Sequence, residues 1–189
     1  GLGDVYKRQA FDYEPSGLET GKKLKNDDHA GVAMRSKADG SAGTWPCGGF
    51  VFSNGGVVMD NGVCVLDSAE AIEAVQYYGQ ILNEAGPLGV GNYHWYECLN
   101  DYMQEAVAIG MDSSNFATDI ENPEKSNAAG HTTYGAMVSG PGKQAKPNMW
   151  HWMAGINSKS QNKAAAFLFL TWANSKPTCL MLSLIHISE

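Results

Sequence analysis

Val107-Ala-Ile-Gly-Met-Asp-Ser113 is the stretch that decides how this chain is read. Its first five residues are apolar or small, a run long enough for a buried strand and too short for a helix that packs by itself. Asp112, Ser113 and Ser114 follow at once, and such residues cap helices by accepting a hydrogen bond from a free backbone N–H. The cap is expected to open a short helix from Phe116 to Ile120. A strand handing over to a helix through a polar cap is the recurring unit of an α/β protein.

Working outward, the same alternation continues. A helix is expected from Trp95 to Glu105, with Leu99, Tyr102 and Met103 turned inward. A longer one should run from Ser68 to Ala85, capped by Asp67 with Glu70 completing a capping box. Its inner face would carry Ile72, Val75, Tyr78 or Gly79, and Leu82, and Gly86-Pro87 would end it. Before it, Val57 to Met59 and Val63 to Leu66 flank Asp60-Asn61-Gly62, whose Asn-Gly pair suits a tight hairpin turn. Thr44 to Phe52 reads as a helix, broken by Asn54-Gly55-Gly56. Ala30 to Met34 reads as a strand, preceded at residues 12–27 by a loop and a short helix. Towards the other end, residues 121–130 are a polar excursion. Tyr134 to Val138 and Met149 to Ile156 read as strands, separated by the Ser139-Gly-Pro-Gly142 turn. The last helix is expected from Ser160 to Trp172, with Ala165, Leu168 and Trp172 on one face and Pro177 as its stop.

The two ends stand apart from this pattern. Leu2 to Gln9 can be written in codons as CTC GGA GAT GTG TAT AAG AGA CAG. The reverse complement translates as Leu-Ser-Leu-Ile-His-Ile-Ser-Glu, which is residues 182–189. This inverted repeat resembles a transposon-end sequencing adapter translated in both orientations. The expectation is therefore that residues 1–9 and 182–189 are foreign and that residues 10–181 belong to an interrupted protein.

Composition narrows the function. The formal net charge is −7, and the two suspect ends cancel in charge, so the remainder is acidic as well. Nucleic acid, which needs a basic surface to neutralise phosphates, is disfavoured. No stretch reaches the roughly 18 apolar residues of a membrane span. Cys47, Cys64, Cys98 and Cys179 are too irregularly spaced for a zinc site; disulfides would be open to them outside the cytoplasm, but free, buried thiols are the plainer expectation. His29, His94, His131 and His151 lack metal-ligand spacing. No nucleophile elbow, P-loop or dinucleotide fingerprint is present, and so no cofactor is implied. Glu97, Asp101 and Glu105 share one helical face. A glycosidase needs two carboxylates from separate elements facing each other across a bond, so a solvated stripe fits these three better. An enzyme is not expected; a carbohydrate-active hydrolase or a lectin-like module is the rival class.

Several segments, in order, carry a resemblance. They are Gly31-Val-Ala-Met-Arg-Ser36 with Thr44-Trp45-Pro46, Leu66-Asp-Ser-Ala-Glu-Ala71 leading to Tyr77-Tyr78, Gly86-Pro-Leu-Gly89, and Asn92-Tyr-His-Trp-Tyr-Glu97. Then come Ala108-Ile-Gly-Met-Asp-Ser113, Asn122-Pro-Glu-Lys-Ser126, Ser139-Gly-Pro-Gly142, Trp152-Met-Ala-Gly-Ile156 with Asn157-Ser158, and Ala165 to Ser175. Together they resemble family 1 extracellular solute-binding proteins, in particular sorbitol and mannitol binders of ABC importers. The resemblance implies an α/β, periplasmic-binding-protein-like (type II) fold of two lobes, of which this chain would supply mostly the C-terminal lobe and some hinge-crossing segments. It further implies a monomer, a periplasmic or membrane-anchored extracellular lipoprotein, which hands a sugar or polyol to permease subunits.

A sugar presents hydroxyls on its edges and C–H patches on its faces, so its site needs aromatic platforms and fixed polar groups. Arg35 matches the arginine of a Met-Arg-Gly-Lys segment, with Ser36 in place of Gly; it could equally form a surface ion pair. Trp45 matches a cleft-facing aromatic or is a core residue. Asp112 and Ser113 would present a carboxylate and N–H groups to a ligand, or merely cap a helix. Trp152 matches the Trp before the strand that crosses back between lobes, although Trp150 and His151 replace small residues there. Trp95, with Tyr93 and His94, would touch ligand or pack its helix. The resemblance thus assigns ligand contact to Arg35, Trp45, Asp112, Ser113, Trp152 and Trp95.

Overall fold

The computed structural model describes residues 15–39, 42–135, 144–149 and 153–185. They fall into two compact units, divided between Asn148 and Met149.

The first unit is organised by two parallel strands. β1 (Ala30–Ala33) is buried along its whole length. It pairs with β4 (Val107–Gly110) in the register Ala30↔Val107, Val32↔Ile109 and Ala33↔Gly110. The bonds from Ala30 N–H to Ala106 C=O (2.9 Å) and Met111 N–H to Ala33 C=O (3.1 Å) extend the ladder at both ends. Parallel pairing requires a long crossover, and residues 34–106 supply it. Gly31 is demanded by α1 (Pro15–Leu24), which crosses β1 so closely that a Cβ there would meet the Gly21 carbonyl oxygen at 1.9 Å. β4 is less covered than a buried strand should be: Val107 is buried, but exposure grows along it to Gly110.

The crossover begins with α2 (Thr44–Ser53). Pro46 is tolerated there because it lies in the first turn, where no intrahelical donor is lost. β2 (Met59–Asp60) and β3 (Val63–Cys64) form the expected hairpin, two residues to a strand. Asn61 (φ 47°) and Gly62 (φ 81°) both take the positive φ that a type I′ turn needs. α3 (Ala69–Gln80) continues into a π turn over Ile81–Ala85. Its cap is Ser68 rather than Asp67, the Ser68 hydroxyl accepting from the Ala71 N–H. Its buried face also differs from expectation. Ala71, Ala74, Tyr77, Tyr78, Ile81 and Ala85 face inward, while Ile72 and Val75 are 45% and 49% exposed. Both stripes have helical spacing. The inner one packs with α2 in a single core, where Phe50 meets Tyr78 edge-on at 5.0 Å.

α4 (Trp95–Met103) buries Cys98 and Leu99. Cys98 forms a second, smaller core with Ala30, Ala33 and Val107, flanked by Tyr93 and Tyr102. Of the four free thiols only Cys98 is buried. Cys47 is half-buried, and Cys64 and Cys179 are exposed, which corrects the expectation of buried thiols throughout. After β4 come a 3-10 turn (Ser114–Phe116) and α5 (Ala117–Ile120). Tyr134 and Gly135 are not in a strand, and the rest of the strand expected at Tyr134 to Val138 lies outside the described residues.

The second unit contains α6 (Lys163–Ala173) and α7 (Lys176–Ile185). Pro177 does not stop α6 from within. It sits in the first turn of α7, where proline is accommodated. Met149 and residues 153–157 are irregular, so the described part of the strand expected at Met149 to Ile156 is not strand. Phe167, Leu168, Phe169 and Trp172 of α6 are all more than half exposed.

Truncation distinguishes the two possible inner faces of α3. In denaturant unfolding of the full-length protein, Ile81→Ala should cost about 2–5 kcal/mol. Ile72→Ala, on the outward stripe, should cost less than about 1 kcal/mol. Equal losses would mean the helix is rotated from this description.

Candidate functional site

The carboxyl ends of parallel strands are where open α/β sheets place their ligands. Here that edge carries a charge pair. Arg35 lies two residues beyond Ala33, and Asp112 two residues beyond Gly110; Ala33 and Gly110 are register partners. The two side chains therefore emerge side by side. The Arg35 Nε donates to Asp112 Oδ2 at 2.7 Å, and Nη2 donates to Oδ1 at 2.5 Å. Such a two-pronged pair fixes angle as well as distance. The side chains are 13% and 9% exposed, yet Asp112 as a residue is exposed. Its backbone therefore meets solvent while its carboxylate is turned onto the guanidinium. Asp112 Oδ1 also accepts from the Ser113 N–H at 2.7 Å.

Trp45, second residue of α2, lies against the same guanidinium, whose Cζ is 5.0 Å from the ring centroid. That is within reach of a cation–π contact. Trp45 is half-buried, so it is neither a core residue nor a fully exposed one. Its carbonyl accepts from the Asn148 side-chain amide, a partner that gave no sign in the sequence.

The backbone around Arg35 is held by two tyrosines. The Tyr78 hydroxyl donates to the Arg35 carbonyl. The Tyr93 carbonyl accepts from both the Ser36 and Lys37 N–H groups at 2.9 Å. The Ser36 hydroxyl donates to the Val90 carbonyl, a bond that glycine in that position could not make. Tyr93 is itself anchored through its hydroxyl to Asp101 Oδ2 at 2.5 Å. Burial, reinforced by the thiols of Cys47 and Cys98 and the Asp112 carboxylate, pushes the Tyr78 phenol up. Burial and the Asp101 carboxylate do the same to Tyr93. Both tyrosines are neutral donors at any physiological pH.

Six residues were expected at the site, and the structure gathers three of them, Arg35, Trp45 and Asp112, in direct contact. Arg35 is ion-paired, as one alternative had it, but its partner is another predicted site residue. Ser113 supports the pair through its backbone, and its hydroxyl is engaged by the Asn115 side chain. Ser113 occupies the N-cap position of the 3-10 turn without a side-chain cap bond, and the Asp112 carboxylate accepts from the Ser113 N–H as well as from Arg35. Trp95 stands one layer away, its ring 5.7 Å from Phe116 in the turn that follows Ser113. Trp152 lies outside the described residues. His94 and Glu97 form a capping box at the start of α4, the Glu97 carboxylate accepting from the His94 N–H at 2.9 Å. The expected acidic stripe is thus divided, since Glu97 caps the helix and Asp101 holds Tyr93. Among the described residues no group of His, Cys, Asp and Glu gathers as a metal ion would require.

Residues 14–178 match the model of the bacterial extracellular solute-binding protein family. The chain belongs to that family. The erythritol/L-threitol-binding protein of Mycolicibacterium smegmatis is 27% identical over 110 residues, which are 58% of this chain and 23% of that protein. An ABC transporter solute-binding protein of Agrobacterium radiobacter, solved with ribitol, superposes with a TM-score of 0.82 at 23% identity, over 96% of this chain and 47% of its own. One from Agrobacterium vitis, solved with D-mannitol, also gives 0.82 at 20% identity, over 95% of this chain and 45% of its own. The fold is therefore that of periplasmic solute-binding proteins of type II, and this chain spans less than half the length of each of these relatives.

Two measurements on the full-length family member test the geometry. In a double-mutant cycle with Arg35→Gln and Asp112→Asn, unfolding should report a coupling above about 1 kcal/mol, more than exposed ion pairs give; additive losses would mean the pair is loose. Burial pushes the Cys98 thiol up to about 12, so at about pH 8 it stays protonated and unreactive. An alkylating reagent should modify Cys64 in the native protein and Cys98 only after unfolding.

Proposed function

We propose that this chain is part of the substrate-binding component of an ABC importer, which takes up a sugar or sugar alcohol and delivers it to membrane permease subunits. The observation that carries the reading is the Arg35–Asp112 pair stacked on Trp45 at the carboxyl edge of β1 and β4. It offers an aromatic ring beside a guanidinium whose fork is held by Asp112 and whose Nη1 still faces outward from the pair, an aromatic and fixed polar groups together being what a polyhydroxylated ligand needs. The names of the relatives point the same way: erythritol, threitol, ribitol and mannitol are all linear polyols.

In this reading Arg35, Trp45, Asp112, Ser113 and Trp95 contact the ligand, Trp152 is a candidate on its resemblance alone, and the chain supplies mostly the C-terminal lobe with hinge-crossing segments. Residues 1–9 and 182–189 are foreign to it. The complete protein is a periplasmic or lipid-anchored extracellular monomer without catalytic activity. Ligand contacts made only when the lobes close favour the closed form, which docks on the permease.

Calorimetry with a panel of linear polyols and simple sugars, paired with product analysis, tests the reading on the full-length protein. Binding without turnover is the expected result, and hydrolysis of any glycoside would overturn it. Trp45→Ala should weaken the best ligand about five- to tenfold, because a lost aromatic contact costs on the order of 1–1.4 kcal/mol.

A further inference from the structure

The charge balance of the site says which polyhydroxylated compounds it admits. Asp112 spends both carboxylate oxygens on Arg35 and the Ser113 N–H. The pair is thus electrically closed. Nη1 is the nitrogen of Arg35 that donates to nothing among the described residues, and it is available to an acceptor as a dipole within a neutral unit rather than as a bare cation. Among the described residues the neighbouring charges are mostly negative. Asp112, Asp101 and Glu97 all act on the Cys98 thiol, as does Arg35, which places the four charges in one neighbourhood. Lys37 acts on Glu97 and stands 3.8 Å from Asp39. Among the described residues the charges near the pair are thus Arg35 and Lys37 against Asp112, Asp101, Glu97 and Asp39, a local excess of negative charge that disfavours an anion.

Resting on the reading of this pair as the ligand site, we infer that Asp112 is a specificity-determining residue which restricts the ligand to neutral polyols and sugars and rejects their acidic counterparts, the aldonates and sugar phosphates. The mechanism is discrimination by an element placed against the wrong ligand. An unpaired arginine at a strand edge would seize a carboxylate in a two-pronged contact. Asp112 occupies that fork in advance, so a ligand carboxylate would have to displace it and then lie beside it.

The test compares matched ligands on the full-length protein: ribitol with ribonate, and D-mannitol with D-mannonate, each pair differing by oxidation of one terminal carbon to a carboxylate. Wild type should bind the better polyol at least about tenfold tighter than its aldonate, since like-charge juxtaposition is strongly unfavourable. Asp112→Asn should lower that preference at least about tenfold, by weakening the polyol, strengthening the aldonate, or both. Asp112→Glu, which keeps the charge, should retain the preference even where affinity falls. A polyol-to-aldonate ratio unchanged in Asp112→Asn overturns the inference. Should that variant fail to fold, wild type still decides, because an aldonate bound within about threefold of its polyol overturns it equally. Wild type that binds no polyol or sugar at all defeats the reading of the site itself. Polyol binding with the wrong charge preference defeats this inference alone.

Discussion

The guanidinium of Arg35 and the carboxylate of Asp112 meet at the ends of two strands that are far apart in sequence and adjacent in space. Each charged side chain would be costly to leave unpaired when so little of it meets solvent, because desolvation penalises an isolated ion. The pair answers that cost only if β1 and β4 lie parallel and in the register observed. A slip of one residue would turn one of the two side chains to the other face of the sheet. The charge pair and the strand pairing therefore hold each other in place, and the site edge follows from both.

Around that pair the structure spends its polar groups on immobility. Tyr78 reaches the Arg35 carbonyl from the middle of a buried helix face, and Tyr93 receives the next two N–H groups while its own hydroxyl is tied to Asp101. Both rings also belong to the apolar cores, so the same side chains fill space and fix the backbone. If the pair binds ligand as proposed, groups held in this manner lose little freedom when the ligand arrives, which is how preorganisation raises affinity.

Much of this was visible in the chain before folding. The order of helices and strands through Gly110 and the Asn61-Gly62 hairpin could be read from local signals, whereas Arg35, Trp45 and Asp112 were singled out as site candidates through the family resemblance. What was misread shares one cause. On α3, alternative stripes one residue apart have equal periodicity, and which of them is inner depends on how close α2 comes. At Pro177 a helix stop and a helix start look alike, because proline suits the turn after one and the first turn of the other. At β4 the run of apolar residues suggested burial on both sides, yet exposure depends on which neighbours the strand acquires.

The sequence by itself determined the kinds of residue at the site and the elements that carry them, because caps, turns and apolar runs act over a few residues. Only the tertiary structure decided that Arg35 and Asp112 are partners, that Trp45 lies against them, and that Asp101, Tyr78 and Asn148 serve as supports. Those relations join residues between 8 and 103 positions apart. They exist because strand register and helix packing bring distant positions to one edge, and no local pattern encodes that distance.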